Sequence, residues 1–91
     1  MAGSLAGWIF TEHARSEMAR RGIDATCVEA VLANPEQRFE ARINRDVLQS
    51  RVVMDQVEYL IRVFVDVDRM LEEVVTVYRS SKITKYWRVS V

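Results

Sequence analysis

The chain changes its hydrophobic period once, at its single proline. Before Pro35, apolar residues recur at helical spacing: Ala14 and Met18, then Val28, Val31 and Leu32. After it, Val57, Tyr59, Ile61, Val63 and Val65 alternate with Glu58, Leu60, Arg62 and Phe64, which is the period of a strand. Helices gathered in one half and strands in the other predict an α+β domain. With 91 residues there is room for one such domain, spanning 1–91.

The local signals divide the chain further. Residues 1–7 (MAGSLAG) are small and read as a flexible arm or a remnant of expression, followed by the core candidates Trp8, Ile9 and Phe10. Thr11 reads as the N-cap of a helix over Glu12–Arg21, and Gly22 as its left-handed stop. Asp24 caps a second helix that Asn34-Pro35 ends. Helices this short cannot stand alone, so an αα-hairpin docked on a sheet is expected. Four strands are expected: Gln37–Arg42, Val47–Met54, Val57–Val65 and Glu73–Arg79, with turns at 43–46 and Asp55-Gln56. The β-branched face of the third strand is assigned to the helices. Its Leu60/Phe64 face is left to solvent or a partner, which predicts a homodimer or a stable complex. The Val74, Val75, Val77 run reads as a strand covered on both sides. The tail from Ser80 reads as a short helix or an irregular edge.

Composition excludes several functions. No apolar run approaches the roughly 20 residues of a membrane span. Cys27 is the only cysteine and His13 the only histidine, so no disulfide, metal site or cofactor is expected, and a reducing, cytoplasmic setting is. The net charge is zero, yet residues 76–91 carry Arg79, Lys82, Lys85 and Arg88 and no acid. Eleven of the thirteen basic residues are arginine, the side chain suited to forked recognition of phosphate or carboxylate.

Two groupings can carry chemistry. His13, Glu17, Arg20 and Arg21 share one helical face, either as an acid–base group beside phosphate-binding arginines or as a histidine paired with Glu17. Tyr78-Arg79-Ser80-Ser81-Lys82 and Lys85-Tyr86-Trp87-Arg88 interleave cations with aromatics, the pattern that serves phosphates and unstacked bases of single-stranded RNA, and also the pattern of ordinary packing. Ser80-Ser81 lacks the surroundings of a serine nucleophile. Cys27, near a helix start but without a basic neighbour, reads as packing.

His13-Ala14, Met18, Arg21-Gly22-Ile23, Val28, Leu32 and Asn34-Pro35 resemble the bacterial family called domain of unknown function 4258. Residues 59–63, 75–79, Ser81-Lys82-Ile83 and Lys85-Tyr86-Trp87 continue the resemblance over about residues 11–88. That family is similar in size and element order to the RelE/ParE and BrnT-like toxins of toxin–antitoxin pairs. The resemblance implies a RelE-like fold and metal-independent RNA cleavage by attack of the ribose 2′-hydroxyl. It implies His13 or Tyr86 for proton transfer and Arg79 and Lys82 for the phosphate, with Arg21, Arg62, Lys85 and Arg88 binding RNA. An antitoxin, and RNA or the ribosome, would be the partners. The chain departs from the family at Glu17, where a second basic residue is common. The competing reading is a non-catalytic module that uses the same sheet to bind a protein.

Overall fold

The computed structural model describes residues 4–5 and 7–89. Six strands and three helices follow one another as β1 (Ser4–Leu5), β2 (Trp8–Phe10), α1 (Glu12–Arg21), α2 (Ala25–Ala33), β3 (Gln37–Arg42), β4 (Arg45–Met54), β5 (Val57–Asp66), β6 (Glu72–Ser80) and α3 (Ile83–Tyr86). The strands form one mixed sheet in the order β1-β2-β6-β5-β4-β3.

Both long helices start and stop where the sequence signals them. The Thr11 side chain accepts from the Ala14 N–H and that of Asp24 from the Cys27 N–H. Gly22 ends α1 at φ 65°, a conformation glycine adopts without a Cβ penalty. The helices do not make the self-packed hairpin expected of them. α1 lies along β6 while α2 lies over β4 and β5, so each buries its apolar stripe against the sheet. Ala14, Met18, Val28, Val31 and Leu32 join Leu48, Ile61, Val63, Val65, Val74 and Val77 in one core.

The sheet also differs from the four antiparallel strands expected. Trp8–Phe10 forms a strand parallel to β6, with Phe10 opposite Val74, and this makes the sheet mixed. Three residues are too few to show a period, which hides the strand in the sequence. Of the seven residues read as an arm, Ser4 and Leu5 pair with Ile9 and Trp8. Residues 1–3 and 6 lie outside the described residues, as do 90–91 of the tail.

The β4–β5 hairpin turns in two residues, both at positive φ: 51° for Asp55 and 66° for Gln56. Two-residue hairpin loops favour this handedness, but a side chain resists it. Gln56→Gly should therefore stabilise the protein by up to about 1 kcal/mol, read as a higher urea midpoint at constant m-value. An unchanged or lower midpoint would show that the turn is not strained.

The Val74, Val75, Val77 run spans an irregularity in β6, a strand interior to the sheet. Val65 lies opposite Val74 but Phe64 opposite Thr76, so Val75 is the extra residue of a β-bulge. Beyond it Val77, Tyr78, Arg79 and Ser80 lie opposite Val63, Arg62, Ile61 and Leu60. Val77 and Arg79 therefore face the helices, and Tyr78 and Ser80 the other side. That other side is covered by the chain's own tail. Leu60 is fully buried, and Phe64 and Trp87 are half-buried. Phe64 stacks on Tyr78 and Trp87 lies against Arg51, so part of the apolar surface that suggested a dimer is covered within the chain.

Candidate nucleic-acid interface

Across the tail-covered face runs a ladder of polar side chains from four adjacent strands. Gln37 lies opposite Gln49, Gln49 opposite Arg62, and Arg62 opposite Tyr78. Each is bonded to the next: Gln49 Nε2 donates to Gln37 Oε1 at 2.7 Å, Arg62 Nε to Gln49 Oε1 at 2.8 Å, and Arg62 Nη1 to the Tyr78 hydroxyl. The ladder also ties down the tail. Gln49 donates to the Tyr86 carbonyl at 3.1 Å, and the Arg88 N–H donates to Gln37 Oε1 at 3.1 Å.

Arg62 is the centre of this arrangement. It is 9% exposed and pairs with no carboxylate among the described residues, although buried charges ordinarily are paired. Aromatic rings surround it instead, with centroids at 4.4 Å (Tyr86), 5.2 Å (Phe64) and 5.6 Å (Tyr78). Their negative faces offset part of the desolvation cost. Its second terminal nitrogen bonds to no described side chain.

Two more cations stand around the same ring pair. The Arg21 guanidinium is 5.8 Å from the Tyr78 ring and Lys85 Nζ is 5.3 Å from the Tyr86 ring, and the two rings meet edge to face at 6.0 Å. The acid that reaches this group, Glu17, bonds to Arg20 at 2.6 Å and to Arg21 at 3.1 Å. Arg20 first, then Arg21, holds its carboxyl below the usual range. Three cations against one carboxylate leave the cluster positive.

Residues 10–79, well over half of the chain, match the family described as Domain of unknown function (DUF4258). The chain belongs to this family. No curated protein and no solved structure matches it. The DUF4258 span includes Arg21, Gln49, Arg62 and Tyr78, whereas Lys85, Tyr86 and Trp87 lie beyond it.

Within this DUF4258 domain the residues singled out from the sequence fall into separate places. Arg21, Arg62, Lys85 and Tyr86 come together as described. Arg88 lies to one side, its guanidinium 3.8 Å from the Phe39 ring centroid. Arg79 points to the helix face, where it stacks at 4.7 Å on Tyr59 and reaches the Met54 sulfur. Lys82 lines a cleft on the opposite face, so the bulge keeps these two cations apart. His13 is exposed at the start of α1, beside Thr11, whose N–H donates to the Val74 carbonyl. Eight residues of helix, about 12 Å, separate it from Arg21 at the cluster. No hydrogen bond, ion pair or ring contact among the described residues joins His13 to Arg79, Lys82 or Tyr86. The pairing of His13 with Glu17 also fails, because the two arginines occupy that carboxylate.

Gln37 and Gln49 are the members that sequence reasoning passed over. Gln49 did leave a signal, being a polar residue directly after the apolar pair Val47-Leu48 in a strand. Burial, reinforced by Asp24, pushes the Cys27 thiol up, away from a reactive thiolate. Among the described residues no three His, Cys, Asp or Glu side chains gather as a metal site, and no helix is long and apolar enough to cross a membrane.

The tail has an acid-sensitive anchor. Glu36 accepts from Arg51 Nη2 at 2.9 Å and from its backbone N–H at 2.8 Å, while the Arg51 guanidinium lies 4.4 Å from the Trp87 ring centroid. These bonds lower the Glu36 carboxyl from 4.5 to about 2. A carboxyl lowered by folding stabilises fully above its unfolded value and loses that contribution as pH falls toward the folded one. Thermal stability should therefore decline between pH 4.5 and about 2, and Glu36→Gln should flatten part of that decline. Equal slopes for the two proteins in a pH series of melts would show that the pair does not contribute.

Proposed function

We propose that this protein binds single-stranded RNA on the tail-covered face of its sheet and acts as a toxin-like, metal-independent endoribonuclease centred on Arg62. The observation that carries this reading is the buried Arg62 guanidinium, which has no carboxylate partner among the described residues and one terminal nitrogen bonded to none of them. An anion entering there supplies the missing counter-charge. The flanking Arg21 and Lys85 extend the positive surface along a backbone, and the Tyr78 and Tyr86 rings offer faces to bases.

Attack of a 2′-hydroxyl on the adjacent phosphate gives up the hydroxyl proton to solvent water, spreads negative charge over the phosphorane oxygens, and breaks the bond to the 5′-oxygen, which then needs a proton. Arg62 and Arg21 provide donors for the first, and the Tyr86 phenol is the donor for the second. His13, Arg79 and Lys82 have no part in this step, because they do not share the cluster.

The test is incubation of the purified protein with end-labelled single-stranded RNA in the presence of EDTA. Cleavage that leaves a 2′,3′-cyclic phosphate supports the proposal. RNA bound but left intact overturns the catalytic part of the proposal and keeps the RNA-binding part. No binding at low salt removes both RNA readings and leaves the protein-binding one.

A further inference from the structure

Two residues along β5 from Arg62, on the same face, Leu60 underlies a second feature that the Arg62 cluster does not use. It is a surface cleft of about 510 Å³ lined by Arg51, Glu58, Lys82, Ile83, Thr84 and Trp87 among others. Along its wall the Arg51 guanidinium lies over the Trp87 ring, 4.4 Å from its centroid, and is held by an ion pair with Glu36. Lys82 and Glu58 are both exposed. Neither forms an ion pair among the described residues, so both are available to a ligand. A stacking wall, one cation and one carboxylate acceptor match the parts of a nucleotide: base, phosphate, and the amino group on the base edge.

We infer that this cleft is a nucleobase subsite for the residue next to the phosphate held at Arg62, and that it favours bases carrying an exocyclic amine; the inference rests on the RNA reading above. Spacing supports the placement. Two residues of strand span about 6.6 Å, so the cleft and Arg62 stand within one nucleotide of each other along an extended strand. The base stacks on the Trp87–Arg51 wall, and Lys82 meets the phosphate on its far side. The Glu58 carboxylate accepts from an amino group, which cytosine has and uracil replaces with a carbonyl oxygen. Stacking alone would tolerate any base; the carboxylate adds the preference.

The test measures binding of labelled oligocytidylate and oligouridylate of equal length to the full chain by fluorescence anisotropy. Wild type should bind oligocytidylate more tightly, and Glu58→Gln should reduce that preference. Trp87→Leu should weaken binding of both by at least about fivefold. Lys82→Ala, at an exposed position, should lower the salt slope of binding by about 0.7 without affecting the melting temperature. Equal affinity for the two oligomers, with Lys82→Ala and Glu58→Gln indistinguishable from wild type, overturns the subsite while leaving RNA binding at Arg62 in place. Absence of binding by wild type overturns both readings together.

Discussion

Arg62→Lys should fold and yet lose about a hundredfold or more in RNA cleavage. Lysine keeps the positive charge but not the planar fork that donates to Gln49 and Tyr78 and leaves a further nitrogen without a partner among the described residues. Removing one preoriented donor to a developing oxyanion costs a factor of about 10²–10³. Arg62→Ala should go further, because the Gln49 oxygen loses its donor in a buried setting, at about 1–3 kcal/mol of stability. The informative comparison is Arg79→Ala. Its guanidinium lies over Tyr59 on the helix face, so its loss should leave cleavage within about twofold of wild type. Cleavage rates and urea midpoints measured on all three variants separate chemistry from folding. Full activity in a folded Arg62→Lys protein, or abolished activity in a folded Arg79→Ala protein, would rule out the Arg62-centred site.

Phe10→Ala should be among the most damaging substitutions in the chain. Phe10 is 4% exposed, packs in the core beneath the helices, and belongs to the parallel strand that closes the β6 side of the sheet. Truncating a buried phenylalanine costs about 3–5 kcal/mol. A domain of this size holds about 5–15 kcal/mol in all, so a large part of its stability would go. Thr11 continues from Phe10 and bonds to Val74 and Val75, so α1 should loosen with it. Chemical denaturation followed by far-ultraviolet circular dichroism gives the number. A loss below about 1 kcal/mol would show that residues 8–10 merely lie against the domain.

The residues on either side of the β4–β5 turn show what sequence alone determines here. The alternation of β5, the helix caps at Thr11 and Asp24, the glycine stop at Gly22 and the reversal at Asp55-Gln56 all depend on neighbours within a few positions. Such signals place two helices and four of the strands within a residue or two of where they stand. They also identify Ile61, Val63 and Val65 as the side turned toward the helices. The parallel strand at Trp8–Phe10 leaves no comparable trace, since three residues hold no period and its partner is more than sixty positions away.

The site is the part that only tertiary structure decides. Arg62, Lys85 and Tyr86 are visible as cations and aromatics, but their gathering depends on strand registers that bring Gln37, Gln49, Arg62 and Tyr78 into one row. One extra residue settles the rest. In a regular ladder running on from Val65 opposite Val74, Arg79 would stand opposite Leu60 and share the face of Arg62, as its place in a basic, aromatic segment suggests. The bulge at Val75 advances β6 by one position, and because side chains alternate with period two, every later residue changes face. Tyr78 therefore meets the Arg62 guanidinium, and Arg79 is turned to the helices. Composition and spacing identify which side chains can bind an anion, while the parity of a single strand determines which of them meet.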